Sequence, residues 1–115
     1  LAGYVPYANA AKTALLGVEP AMIEEHGAVS ESVARAMAVG AARRACASFA
    51  LSTTGIAGPD GGTEAKRVGT VFIGLAFGDG EAAVERRVFQ TDRETFKQLA
   101  TQTALDLLRR RLLRA

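Results

Sequence analysis

The sequence is poor in the residues that cross-link small domains or bind metals. Its 115 residues include no tryptophan, one cysteine, one histidine and three prolines. Because Cys46 is the only cysteine, no disulfide can form between two residues of this chain, and the pattern is typical of a reducing, cytoplasmic setting. Histidine, cysteine and carboxylate side chains show no metal-ligand spacing. We therefore expect neither a metal nor a cofactor.

Long apolar runs and a strong charge imbalance are missing as well. No apolar run reaches the roughly 18 residues that a membrane-spanning helix needs, so we expect no membrane partner. The net charge is only +2. Its excess is local, since Arg109, Arg110, Arg111 and Arg114 all lie near the C-terminal end. A local excess of this kind is not the footprint of a nucleic-acid-binding protein, and we expect no nucleic acid partner.

The apolar content is what makes a folded core possible. It amounts to 49%, and the length suits a single domain. The first residues, LAGYVPY, have the apolar and aromatic pattern of a strand, which we place over residues 2–8. A strand at the very start suggests that the chain begins in mid-domain. We therefore expect residues 1–115 to be one domain whose N-terminal part lies before Leu1.

Caps and apolar spacing predict four helices. Asn9 can cap the first, which runs to Leu16 and is closed by Gly17. The start signals of the others are Pro20 for a short helix over 21–25, Ser30 for a helix of small residues, and a capping box, Thr91 to Glu94, for the last.

Three runs rich in β-branched and aromatic residues predict strands over 49–54, 70–77 and 82–90. The dipeptide Asp79-Gly80 predicts a tight turn, so the last two strands should form an antiparallel hairpin. Helices and strands alternate along the chain. This order predicts an α/β domain, a three-layer α/β/α sandwich with a mixed sheet.

The connection between the first two of these strands, residues 55–69, is long and rich in glycine. Glycines allow backbone N–H groups to approach an anion, and the loop leaves a strand at its C-terminal end, where ligands gather in α/β sheets. It is neither a Walker A loop nor a GxGxxG motif. Two interpretations stay open: a small-molecule site, or a plain flexible loop.

A second polar cluster is PYANAAK, which contains Tyr7, Asn9 and Lys12. Lys12 can act as a general base only if burial or a nearby cation lowers its pKa toward neutrality. The alternative is a solvated lysine beside a helix cap. Arg93 is a further candidate, because a cation in the first turn of a helix opposes the helix dipole unless it pairs with Asp92 or Glu94 or meets an anionic ligand.

Four segments together carry a family resemblance. In order and spacing, YANAAKTALLGV, EEHGAVSESVARAMAVGA, TTGIAGPDGGTEAKRVGTVFIGLA and FQTDRETFKQLA resemble the C-terminal domain of the CinA competence/damage-inducible family. That domain also occurs alone as a nicotinamide mononucleotide (NMN) deamidase. The resemblance covers essentially the whole chain and implies a three-layer α/β/α fold.

The resemblance also implies an activity: hydrolysis of the NMN carboxamide to nicotinate mononucleotide and ammonia, as in NAD recycling, without a metal. Lys12 matches the lysine that acts as base toward a serine nucleophile, and Tyr7 and Asn9 match its neighbours in the site. Arg93 matches an arginine expected near the phosphate. The positions that match the nucleotide-binding loop are Thr54, Gly55, Gly58, Gly61, Gly62, Thr63 and Lys66. We also expect a homo-oligomer.

The chain departs from the family pattern at several positions. Ala8, Ala10 and Arg67 stand where the family usually has Ser or Thr, Glu and Pro, respectively. The family segment that supplies the nucleophilic serine matches nothing in this chain and is expected before Leu1. These departures leave an alternative: a non-catalytic nucleotide-binding or assembly domain of a larger CinA-like protein.

Overall fold

The computed structural model describes residues 1–114. Within this range the helices and strands follow one another as α1 (Asn9–Leu16), α2 (Pro20–His26), α3 (Glu31–Ala45), β1 (Phe49–Gly55), β2 (Thr70–Phe77), β3 (Ala82–Val88) and α4 (Arg93–Arg114). The predicted helices and the last three predicted strands are confirmed, with ends that shift by one or two residues.

The strands form one sheet in the order β1-β2-β3, and both pairings are antiparallel. Successive side chains of a strand point to opposite faces of the sheet. One face packs on α3, where Ser52 Oγ donates a hydrogen bond of 2.6 Å to Ala34 O. The other face packs on α4 through Val71, Ile73 and Phe96. The predicted α/β fold with three layers is thus confirmed.

The central strand, β2, is buried on both faces. Residues 70–76 are all buried, and Ile73 has no exposed surface. Helices cover the strand from both sides and neighbouring strands flank both edges, which explains why TVFIGLAF is a continuous apolar run rather than an alternating one. Burial of this strand supplies much of the hydrophobic stabilisation.

Helix α3 approaches the sheet closely because the residues between them are small. Ser30 caps its N-terminus, since the Val33 N–H donates to Ser30 Oγ at 3.3 Å. A Cβ atom on Gly74 would lie 2.6 Å from Ala34 O. Glycine is therefore required at position 74 by the close approach of the helix backbone.

The N-terminal strand is a prediction that the structure corrects. Residues 1–7 adopt no regular secondary structure, and the Tyr7 N–H donates to Val5 O within the segment. A strand over 2–8, followed by helices and then β1, would have supplied a parallel crossover. Without that strand, both strand pairs of the described sheet are antiparallel. The described sheet is therefore antiparallel rather than mixed.

Helix starts differ from prediction in two places. Ala8, not Asn9, occupies the cap position of α1 and makes no side-chain cap, while Asn9 is the first helical residue. At α4 the cap is Asp92 rather than Thr91. The Thr95 N–H donates to Asp92 Oδ1 at 2.9 Å, and Thr95 Oγ1 donates to Asp92 Oδ2 at 2.8 Å.

The Asp92 cap generates a pH-dependent prediction. Hydrogen bonds from Thr95 lower the pKa of Asp92 below its ordinary value. The stabilisation is therefore fully present above the unfolded pKa, about 3.9, and is lost as pH falls through the lower folded value. Asp92→Ala should lower the melting temperature at pH 7, and the difference from wild type should shrink as pH falls below about 4. Asp92→Asn keeps an acceptor oxygen without titrating and serves as the control; a difference for Asp92→Ala that does not change with pH would contradict this role.

Candidate functional site

Lys12 is a buried lysine at the start of α1. Only 6% of its surface is exposed. Its Nζ donates to Pro6 O at 3.0 Å and to Tyr7 O at 3.4 Å. Carbonyl oxygens of the segment before α1 thus accept hydrogen bonds from the ammonium group. These bonds explain how a lysine is accommodated at a buried position.

The burial of Lys12 affects its titration. Burial lowers the pKa of Lys12 by desolvating its charged form. None of the ion pairs found among residues 1–114 includes this lysine. The direction of the shift is the one that a lysine base requires, and the interpretation of Lys12 as a solvated helix residue is wrong.

The two predicted neighbours of Lys12 contribute less to its surroundings. Tyr7 is 85% exposed and reaches Lys12 through its backbone carbonyl, not through its hydroxyl. Asn9 is exposed as well. Both side chains lie at the surface near Lys12, where a ligand has access to them.

The loop between β1 and β2 is held by its own backbone. Ile56 N–H donates to Thr70 O at 2.9 Å, and Gly69 N–H donates to Ile56 O at 2.6 Å. At the far end, Thr63 N–H donates to Lys66 O at 2.9 Å, and Lys66 N–H donates to Thr63 Oγ1 at 3.1 Å. These bonds give the loop a defined conformation.

Two of the loop glycines make room for Val68. At Gly58, where φ is 82°, a Cβ atom would collide with Val68 Cγ1. At Gly62 a Cβ atom would lie 2.6 Å from Val68 N, whereas at Gly61 it would meet only Ile56 Cγ2 at 3.6 Å. Gly58 and Gly62 are therefore needed for the packing of the loop itself. Gly55 has a similar role toward Thr70, whose carbonyl oxygen would lie 2.9 Å from a Cβ.

Three consecutive carbonyl groups, from the last residue of α2 and the two residues after it, bind donors from the loop, the sheet and the cap of α3. Lys66 Nζ donates to His26 O, Ser30 Oγ donates to Gly27 O, and Thr54 Oγ1 donates to Ala28 O, each at 2.8 Å. We call residues 26–28 the carbonyl turn. Because two of its three partners are predicted site residues, Lys66 and Thr54, the carbonyl turn fixes one side of the candidate site.

Two arginines hold the loop from other elements. Arg93 Nη1 donates to Gly58 O at 3.2 Å, and Arg86 Nη2 donates to Ala65 O at 2.9 Å. Arg93 was predicted from its unfavourable place at a helix start, but Arg86 was missed. The sequence signal for Arg86 is the pair Arg86-Arg87 on one strand. Adjacent strand residues point to opposite faces of the sheet, so the two arginines must have different partners.

The predicted site residues thus form two groups. Lys12, Tyr7 and Asn9 lie at the start of α1, whereas the loop residues, Thr54 and Arg93 lie around the N-terminal end of β2. Within residues 1–114 no hydrogen bond joins Lys12 to the loop. Two surface cavities of about 430 and 510 Å³ are lined by none of the predicted residues and lie toward the opposite end of the sheet.

Two other kinds of feature are absent from residues 1–114. No group of three or more His, Cys, Asp or Glu side chains is arranged to hold a metal ion in this part of the chain. None of the helices described here is both long and apolar enough to cross a membrane.

The packing around Val68 predicts that two neighbouring glycines respond differently to substitution. Both Gly58 and Gly61 have positive φ, so alanine strains the backbone at either position. Only at Gly58 does the new methyl group also collide with Val68. Gly58→Ala should therefore lower the free energy of unfolding by about 1–3 kcal/mol more than Gly61→Ala, as overpacking does elsewhere. Urea denaturation measures both, and equal losses would contradict the packing role of Gly58.

The burial of Lys12 predicts how stability varies with pH. Because the folded state binds this proton less tightly than the unfolded state, the contribution of Lys12 to stability is least favourable below the folded pKa. It rises as pH increases toward the ordinary lysine value of about 10.4. The free energy of unfolding of wild type relative to Lys12→Met should therefore increase with alkaline pH. Lys97→Met, which removes an exposed lysine, controls for the loss of one positive charge; a pH-independent difference for Lys12→Met would contradict the lowered pKa.

Comparison with known proteins gives consistent matches. The family model of the CinA C-terminal domain matches residues 1–112. A CinA-like protein of Citrifermentans bemidjiense is 56% identical over 113 residues, which cover 98% of this chain and 27% of that protein. A CinA-like protein of Mycobacterium marinum is 50% identical, with 97% of this chain and 26% of that protein covered. The chain therefore spans about a quarter of the length of the curated relatives that it matches.

Solved structures agree with this match. The competence/damage inducible protein CihA from Agrobacterium tumefaciens is 38% identical with a TM-score of 0.84, covering 89% of this chain and 62% of its own. A CinA superfamily protein from Klebsiella pneumoniae 700603 is 30% identical with a TM-score of 0.89, covering 96% of this chain and 68% of its own. From its sequence and its fold, the chain belongs to the CinA C-terminal domain family.

Proposed function

We propose that this domain hydrolyses the carboxamide of nicotinamide mononucleotide, giving nicotinate mononucleotide and ammonia. The observation that carries the proposal is Lys12: a buried lysine, without an ion-pair partner among residues 1–114, whose pKa is lowered by desolvation. By resemblance, Lys12 matches the lysine of the family motif. The choice of substrate comes from the resemblance between this chain and NMN deamidases.

Amide hydrolysis at neutral pH requires a nucleophile that loses its proton as it attacks, and a neutral lysine amine can take that proton. We assign this role to Lys12 and the nucleophile to a serine N-terminal to Leu1. Among residues 1–114, Ser30 and Ser52 donate to backbone carbonyls as part of the fold, and no serine hydroxyl contacts Lys12 Nζ.

The reaction proceeds in two steps, the formation of an ester with the serine and its hydrolysis. The serine Oγ forms a bond to the carboxamide carbon, its proton passes to Lys12 Nζ, and the carbonyl oxygen becomes an oxyanion. Breaking the C–N bond then releases ammonia, which takes that proton from Lys12, and leaves an ester. Water attacks the ester with Lys12 again as base, and the proton returns to the serine as nicotinate mononucleotide leaves. We assign Tyr7, whose side chain is exposed, as the second catalytic residue.

The loop and its neighbours bind the nucleotide in this proposal. We assign ligand contacts to backbone N–H groups near Gly55, Gly58, Gly61 and Gly62 and to the Thr63 hydroxyl, while Thr54 shapes the pocket through its bond to Ala28 O. Asn9 contacts the substrate near the base, and Lys66 and Arg93 supply positive charge for its phosphate. The defined conformation of the loop supports this role, since pre-organised donors stabilise developing charge better than mobile ones. A cytoplasmic, homo-oligomeric protein without a cofactor completes the proposal.

Ammonia release from NMN is the direct test. The complete translated protein should release ammonia, and Lys12→Met should reduce turnover by about 10³-fold or more, because loss of a base that activates a nucleophile removes the main route for proton transfer. Lys97→Met removes an exposed lysine instead and should retain wild-type turnover. Turnover by Lys12→Met within a few-fold of wild type would overturn the assignment of the base.

The alternative, a nucleotide-binding module without catalysis, gives a different result in the same samples. Its supporting observation is that two backbone carbonyls already accept hydrogen bonds from Lys12 Nζ. A ligand that binds only the folded state raises stability by RT ln(1 + [L]/Kd). NMN-dependent stabilisation without ammonia release would favour the binding module, and neither effect would favour an assembly domain.

A further inference from the structure

Lys66 and Arg86 are two cations at the Gly-rich loop that have no carboxylate partner. Among residues 1–114 neither takes part in an ion pair. Their hydrogen bonds go to backbone carbonyls instead: Lys66 Nζ to His26 O at 2.8 Å and Arg86 Nη2 to Ala65 O at 2.9 Å. Their charges are therefore oriented but not neutralised.

Both groups lie on the α3 side of the sheet. The strand register places Thr54, Phe72 and Arg86 in one row across the sheet. In that row the Arg86 guanidinium lies over the Phe72 ring, 5.6 Å from its centroid, and Thr54 reaches Ala28 O in the carbonyl turn. Lys66 reaches His26 O in the same turn, and the residue before it, Ala65, is held by Arg86. Arg86 and Lys66 thus flank one short stretch of the loop.

The neighbouring arginine on the same strand, Arg87, does not share this arrangement. Arg87 points to the opposite face of the sheet, where it forms an ion pair with Glu85. Positions 85 and 87 therefore neutralise each other on the α4 side, whereas Arg86 has no such partner. A fixed cation without a carboxylate partner can pair with a bound anion instead.

Donors for an anion are still available at both residues. A guanidinium has five N–H donors in a planar fork, of which Arg86 uses one for a described contact, and an ammonium has three, of which Lys66 uses one. Arginine stacked on an aromatic ring and fixed by one hydrogen bond loses little freedom when it binds a phosphate oxygen pair. Arg86 is exposed, so its remaining donors are accessible to a ligand.

We propose that Arg86 and Lys66 form an anion-recognition pair at this loop that binds the phosphate monoester of the nucleotide substrate. The assignment rests on the proposed function for the identity of the nucleotide, but not for the binding of phosphate itself. It adds Arg86 to the residues predicted from the sequence and gives Lys66 two roles, as an anchor of the loop to the carbonyl turn and as a ligand for the anion.

The test compares NMN with nicotinamide riboside, which lacks the phosphate. In the complete protein, Arg86→Gln should reduce kcat/KM for NMN by about tenfold or more, as loss of a charge-assisted hydrogen bond does. The same variant should change kcat/KM for the riboside by less than about threefold. Arg87→Gln is the matched control from the opposite face of the sheet, and it should leave kcat/KM for both substrates near the wild-type values. Equal losses for both substrates would overturn phosphate recognition and leave Arg86 as a support for the loop.

Direct binding separates this proposal from the proposed activity. Ribose 5-phosphate and inorganic phosphate should raise the melting temperature of wild type and of Arg87→Gln, but not of Arg86→Gln or Lys66→Gln. This result would support the site even if NMN is not hydrolysed. Equal stabilisation of all four proteins, or of none, would overturn the site even if NMN is hydrolysed. Arg86→Lys keeps the charge but not the planar fork and should restore part of the binding if Arg86→Gln folds poorly.

Discussion

The close packing of α3 against the sheet is the constraint on which the rest of the structure depends. The helix backbone approaches so closely that Gly74 has no room for a side chain, and Ser52 bonds directly to Ala34 O. Because only Val29 and Ser30 separate the carbonyl turn from α3, the position of α3 on the sheet also constrains residues 26–28. The site that we propose is thus a consequence of how small residues pack between one helix and one strand.

The carbonyl turn converts this packing into a defined loop. Backbone carbonyls in a turn need donors when they are removed from water. Here the donors come from the sheet, through Thr54, and from the loop, through Lys66. The same bonds that satisfy the turn therefore determine where the loop lies and where its cations point. The hydrogen bonds that stabilise this part of the fold are therefore also the ones that position the proposed binding site.

Local patterns in the sequence predicted most of the fold. The boundaries of β2, the cap at Ser30 and the glycine that ends α1 were all predicted, because each depends on neighbours in the sequence. The strand over 2–8 was not found, since an apolar and aromatic pattern cannot show whether another strand is available for pairing. In the site, the burial of Lys12 and the role of Arg86 depend on contacts between distant residues, which spacing does not reveal.

The seating of Val68 between Gly58 and Gly62 has a consequence for how the length of this connection can vary. Bonds between Ile56 and Gly69 pin the base of the loop, while Val68 fills the space left by the two glycines inside it. Inserting or deleting one residue between Ile56 and Gly69 would move Val68 out of the space beside Gly58 and Gly62. Insertions and deletions during evolution are therefore better tolerated in the exposed turn at residues 78–80 than in residues 58–68, although both segments are connections between strands.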